Sequence, residues 1–424
     1  MTPDGIPRRQ GNRRTRFGFA GPLAACLALT LLDAPASPTA TASRNTPPQI
    51  RRTAAQVRDA DIAFFEARIR RDSLGAIDLA RVSGLYLQRA RETGSGQDLL
   101  RAEAAARRSL NHRRSRNPPA AQMLALSLLP QHRFAEALDV AAELVEHDPA
   151  TPAFRALLAE IQMELGRYDE ARTNFGMLRS HADNPTIAAQ LARWDELTGD
   201  VEGARALLLS ARAAVLARAR VPPEQVAWFH LRVGDLALRY GHFDEAAHAF
   251  DAGLAAHPED YRVLAAAARL AVAEGDWRGA IRFAERSLAT TIDPATLGLL
   301  ADGWRALGES ARAENADRVL AATMRLQAGS FHRAWGLYLL DHDRQVAEVL
   351  ARAEADLVTR RDVYGYDLLA WALHKSGRDP EACRAMRQAL RLGTPDPMLL
   401  RHASAIARAA GGAASAEGCH RAAR

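Results

Sequence analysis

From residue 53 onward, apolar and small residues recur three and four positions apart with charged residues between them. Runs alternating with period two are almost absent, and Ala, Leu, Arg and Glu, all strong helix formers, dominate. The pattern predicts an all-α chain of amphipathic helices separated by short turns. The stretch RYGHFDEAAHAFDAGLAAHPED (239–260) shows the unit well. A glycine is followed after one residue by an aromatic, an alanine comes three positions later, and a proline closes the helix.

That probe recurs along the chain. GHFDEA begins at Gly241, GRYDEA at Gly166, GDWRGA at Gly275, GDVEGA at Gly199 and HRFAEA at His132. Weaker copies begin at Gly308, His342 and Gly377, with a last half-clear one at Gly411 and an early one near 92–103. Successive starts from 132 to 377 lie 34, 33, 42, 34, 33, 34 and 35 residues apart. A fixed period of this size marks a repeat architecture whose units must stack to bury their apolar faces.

The marks recur together. In the copy 227–260 they are Gly234 in the first helix, Gly241 at the turn, then Phe243, Ala246, Phe250 and Pro258. In 152–184 they are Ala159, Gly166, Tyr168, Ala171 and Phe175, and in 118–151 Ala125, His132, Phe134, Ala137 and Pro149. Small residues let two helices approach, the aromatic fills the space between them, glycine takes the left-handed C-cap, and proline ends the second helix. With its 34-residue period, this set resembles the tetratricopeptide repeat family over about residues 75–424. The resemblance implies a right-handed α-solenoid superhelix of about ten helix-turn-helix repeats. The interval of 42 implies a longer connection at about 210–226, where SARAAVLARAR (210–220) reads as an extended second helix and VPPEQ (221–225) as a forced turn. The copies at 294–327 and 328–362 lack the closing proline and the second aromatic.

The N-terminus follows another logic. Arg8, Arg9, Arg13, Arg14 and Arg16 precede the apolar run FGFAGPLAACLALTLL (17–32), and Ala-x-Ala sites follow, ending at Ala36 and Ala42. This is the pattern of a secretory signal peptide over 1–42, with a flexible linker at 43–52 and the solenoid at 53–424. The run is short for a membrane span, so contact with a membrane is expected only through 17–32, if that segment stays uncleaved. The expected location is outside the cytoplasm, periplasmic or extracellular. Cleavage after Ala42 removes five arginines and two aspartates and lowers the formal net charge from +6 to about +3. The mature chain is then only mildly basic, and nucleic acid is not an expected partner.

Candidate chemistry is sparse. His242, His248 and His257 sit among acids, but a turn and a helix end within one repeat are too far apart for imidazoles to converge on one ion, so neither metal nor cofactor is expected. The basic run 101–118 reads as a solvated helix end. Cys383 and Cys419 fall near the same point of successive second helices, and a disulfide between them requires an unusually close approach. No Gly-x-Ser-x-Gly, Walker loop, His-Glu-x-x-His or Cys-x-x-Cys is present, and the repeats occupy the length a catalytic domain needs, so the chain is not expected to be an enzyme.

The resemblance implies that a protein or peptide partner lies in the concave groove lined by each first helix, at its second, fifth, ninth, twelfth and thirteenth positions. Those positions give Glu160, Glu164, Arg193, Glu196 and Arg239. They also give the expected groove residues Trp228, Asp235, Arg262, Arg269, Asp302 and Arg305. Toward the C-terminus the expected groove continues with His332, Tyr364, Asp367, Trp371 and His374, with Lys375 beside them. Tyr364, Asp367, Trp371 and His374 form one helical stripe, either a binding hot spot or packing behind an Asp362 cap. The expected function is a non-catalytic interaction scaffold of the bacterial cell envelope. The alternatives are a glycan binder using the aromatic C-terminal repeats and an anchored assembly factor.

Overall fold

The computed structural model describes residues 53–326 and 333–410, and the signal-like segment, His332, the last turn at Gly411 and Cys419 lie outside them. Among the described residues there are twenty α-helices and no strand. They run α1 (Ala54–Arg71), α2 (Ala76–Thr93), α3 (Gly96–His112), α4 (Pro118–Leu128), α5 (Phe134–His147), α6 (Pro152–Glu164) and α7 (Tyr168–Leu178). Next come α8 (Pro185–Leu197), α9 (Val201–Leu216), α10 (Pro223–Arg239), α11 (Phe243–Ala256), α12 (Tyr261–Ala273), α13 (Trp277–Thr290) and α14 (Pro294–Ala306). The chain continues through α15 (Ser310–Leu326), α16 (Arg333–Asp341), α17 (Val346–Asp356), α18 (Val363–Lys375), α19 (Asp379–Ala389) and α20 (Pro397–Ala409). From α2 to α19 these form nine antiparallel hairpins, each packed on the next, with α1 before them and α20 after. The architecture is an all-α solenoid.

Local sequence sets the punctuation. Proline occupies the first turn of α4, α6, α8, α14 and α20, where its missing N–H costs nothing. Ser95, Asn184, Asp260, Asp293, Asp362 and Asp396 accept hydrogen bonds from the exposed first-turn amides of their helices. At the hairpin turns Gly166, Gly199, Gly241, Gly275, Gly308 and Gly377 all take the left-handed conformation, with φ between 73° and 101°. After each of these the next amide bonds back to the last turn of the helix, as Arg167 N–H does to Gln162 O at 2.8 Å. His132 occupies the same position at φ 57° without glycine's freedom.

The packing marks behave as expected in most hairpins. Phe250 is 1% exposed, and a Cβ on Gly234 would meet its ring at 2.4 Å, so the glycine in α10 is the space that the aromatic of α11 fills. Phe175, Tyr168 and Phe134 are buried in the same way, with Phe175 stacked on Trp194 at 5.3 Å. Phe243 differs: it is 37% exposed. The helix expected to continue through 210–220 ends instead at Leu216. Val221-Pro222-Pro223 cannot continue a helix, and the residues before it fall into turns. No helix among the described residues is long and apolar enough to cross a membrane.

The solenoid also meets itself. The Arg361 N–H donates to the Leu165 carbonyl at 3.2 Å, and the Val363 N–H donates to the Tyr168 hydroxyl at 2.8 Å. The Thr394 hydroxyl donates to the Leu197 carbonyl at 2.5 Å, and a Cβ on Gly94 would strike Thr291 at 2.6 Å. These pairs are 94 with 291, 165 with 361 and 197 with 394, each separated by about 196 residues. One turn of the superhelix therefore takes slightly less than six repeats, and the turn glycines Gly94, Gly166 and Gly199 abut the loop one coil later. Val363 is fully buried in the cluster holding Tyr168, Phe175 and Trp194.

Candidate functional site: an arginine-rich cavity inside the coil

Closure of the coil turns the concave face into a cavity of about 840 Å³. Nearly all of its wall comes from the even-numbered helices α6 to α20 and the turns before α18 and α20. Side chains reach it because residues three and four apart share a helix face, as Arg232, Asp235 and Arg239 do on α10.

Most of the charge on this wall is internally paired, in rungs one repeat apart. Arg193 on α8 reaches Glu160 and Glu164 on α6, each at 2.6 Å. Arg239 on α10 pairs with Glu196 on α8, and Arg269 on α12 reaches Asp235 on α10 at 2.8 Å. Arg360, from the second coil, closes on Asp362 at 2.7 Å and on Glu164 of the first at 3.4 Å. Burial alone would raise the Glu164 pKa, but the charges of Arg193 and Arg360 outweigh it and hold the carboxyl below its ordinary value. Burial pushes the Asp362 carboxyl up. The same cause, with nearby carboxylates, raises the Tyr364 phenol to about 12.

The expected groove residues divide. Asp235, Arg269 and Tyr364 stand together on the cavity wall. Trp228 packs edge-on to Phe229 at 4.8 Å beside the α8–α10 core. Arg262 is held by Asp260 at 2.6 Å and Glu224 at 2.9 Å, away from the lumen. Asp302 and Arg305 join Asp317, Tyr338 and His342 in a network between α14, α15 and α16. Asp367 is completely buried and is bonded by Arg333 and by His402, the latter at 2.8 Å. Trp371 stacks on His402 at 4.3 Å and on His374 at 5.0 Å, and its indole N–H donates to Asp341 at 2.9 Å. His374 is bonded to Asp379 at 2.6 Å. The Tyr364–His374 stripe therefore splits: Tyr364 faces the cavity behind its Asp362 cap, and the other three are tied into the protein. Cys383 is buried in α19, while Cys419, with which a disulfide was possible, lies outside the described residues.

Four arginines on the wall, Arg232, Arg333, Arg360 and Arg401, were not among the groove positions read from sequence. Arg232 had a signal, since it lies one turn ahead of Asp235 on the same face. Arg360 and Arg401 had none, because only coil closure brings them to the first coil. Of the histidines that suggested a metal, His248 bonds the Asp244 carbonyl and His257 lies 3.4 Å from Asp260.

A coiled stack of antiparallel helix hairpins defines an all-α repeat scaffold. Models of the tetratricopeptide repeat match residues 128–175 and 231–295, and the chain is a tetratricopeptide-repeat protein. Repeats of this family are generally non-catalytic. None of the curated proteins matches it. Among solved structures, the chain is similar to PilW, a widely conserved type IV pilus biogenesis factor, at 19% identity and TM-score 0.42 over 53% of this chain and 99% of that one. It is similar to Pseudomonas aeruginosa pilF at 18% identity and TM-score 0.40, over 53% and 97% of the two chains. It is also similar to human IFIT1, in a dimer with m7Gppp-AAAA, at 16% identity and TM-score 0.52 over 80% and 78%. The IFIT1 likeness shows a shared fold alone, and the two pilus-protein scores carry no argument.

Proposed function

We propose that this protein is an exported, non-catalytic scaffold of the bacterial cell envelope that holds a peptide or protein segment inside its coil. The observation that supports the reading is the cavity itself: the first helices of successive hairpins from two coils converge on one lumen of about 840 Å³. Export rests on the basic, apolar and small-residue order of 1–42. The glycan alternative loses its motivation, because His402 and His374 stack on the Trp371 ring a sugar would use.

A photo-crosslinking side chain at Leu299, in the cavity, should trap a protein adduct in envelope extract, and the same probe at exposed Met177 on α7 should not. Adducts only at Met177, or none from correctly folded protein, would refute the lumen as the binding surface. N-terminal sequencing of the exported chain should begin after Ala36 or Ala42; an intact N-terminus would instead make 17–32 an anchor.

A further inference from the structure

The carboxylates on the cavity wall are already engaged. Glu164, Glu196 and Asp235 are held by the arginine rungs, and Asp362 and Asp396 accept from the first-turn amides of α18 and α20. Of the seven arginines on the wall, Arg193, Arg239, Arg269, Arg333 and Arg360 are paired, Arg193 also with Glu160 and Arg333 with Asp367, both behind the wall. Two are not. Arg232 on α10 and Arg401 on α20 make no hydrogen bond or ion pair with a described residue, though both line the cavity. The buried Nε of Arg333 also lacks a partner among the described residues. Arg232 is partly buried, and burial together with the charge of Arg193 pulls its pKa below the ordinary value. An unpaired, desolvated guanidinium is costly in the empty protein, and a ligand carboxylate placed against it relieves that cost.

The remainder of the wall restricts the anion. The carboxylates interleaved with the arginines would repel a polyanion that carries a charge at every unit. A ligand with one or two isolated negative charges matches the two unpaired guanidinium groups instead. Leu197, Leu238, Val272, Leu299 and Met398 supply apolar surface between the charges. The volume falls in the range of roughly 300–1,000 Å³ typical of pockets for small ligands.

Building on the peptide-groove reading above, we propose that the cavity binds a short extended peptide carrying one or two Asp or Glu side chains, selected by Arg232 and Arg401. The test probes an array of random hexapeptides, all C-terminally amidated so that side chains supply the only carboxylates. The full chain is compared with Arg232→Gln and Arg401→Gln. Acidic residues should be enriched among the wild-type hits, and Arg232→Gln should weaken the best of them by about tenfold or more with an unchanged melting curve. Arg401→Gln, at an exposed position, repeats the test if Arg232→Gln alters folding. Hits without acidic enrichment, or equal binding by both variants, would overturn the selection by arginine while leaving the peptide groove standing. An oligonucleotide that binds more tightly than any peptide and displaces it would overturn the proposal in favour of a polyanion site. No hit at all from folded protein would remove the peptide groove itself.

Discussion

Two turn glycines with the same backbone conformation separate the contribution of coil closure from that of the hairpin. Gly166 has φ 75° and Gly241 has φ 81°, so alanine at either pays the left-handed penalty of about 1–2 kcal/mol. Their surroundings differ. Around Gly241 a Cβ meets nothing within 4 Å, whereas at Gly166 it would sit 2.2 Å from the Arg361 carbonyl oxygen and 2.8 Å from the Asp362 nitrogen. Those atoms are backbone and can yield only by moving the second coil away. That movement loosens the Arg361 N–H to Leu165 bond, the Arg360 Nε bond to the Glu164 carbonyl and the Val363 N–H to Tyr168 bond. At about 0.5–1.5 kcal/mol each, their loss adds roughly 2–4 kcal/mol. Gly166→Ala should therefore cost about 3–6 kcal/mol and Gly241→Ala about 1–2 kcal/mol by urea denaturation. Small-angle scattering should show a larger radius for Gly166→Ala alone. Equal losses with equal radii would refute the view that the coil contact contributes to stability.

Other consequences follow from packing and charge. Phe250→Ala, which empties the space beside Gly234, should cost about 3–5 kcal/mol in thermal or chemical unfolding, and Phe243→Ala, at a partly exposed ring, no more than about 1 kcal/mol. Burial opposes the ionised form of Asp260, but the His257 imidazole 3.4 Å away and the hydrogen-bonded Arg262 guanidinium outweigh it and hold its carboxyl well below the usual carboxylate range. Its stabilisation is therefore present above the unfolded value near about 4 and fades as pH falls from there toward the folded value, so the gap in melting temperature between wild type and Asp260→Asn should narrow below about pH 4. If Cys383 and Cys419 are joined, thiol titration of denatured, signal-cleaved protein should find both unreactive until a reductant is added; two reactive thiols before reduction would exclude the bond.

Much of the local structure was legible along the chain, for reasons visible at particular positions. Gly166, Gly241 and Gly275 announce left-handed turns because a neighbouring residue type cannot take that conformation cheaply, and Asp362 announces a cap because its carboxylate is within reach of two bare amides. Gly234 and Phe250 announced their contact by recurring as a small–large pair. The site was only partly legible. Register on the first helices pointed to Asp235, Arg269 and Tyr364, which line the cavity, but it could not show that Asp367 would be consumed by Arg333 and His402, or Trp371 by stacking.

The sequence by itself determined the hairpin, its period and the face each helix turns toward its neighbour, since all of these depend on residues within one or two repeats of each other. Only the tertiary structure decided that residue 166 would touch 361, that the concave face would close into a cavity, and that Arg232 and Arg401 would line it without a partner among the described residues. The rise and rotation from one hairpin to the next are small and set by packing at each interface. Their sum over nearly six interfaces fixes where the second coil lands, and no single interface carries a residue pattern that states the sum.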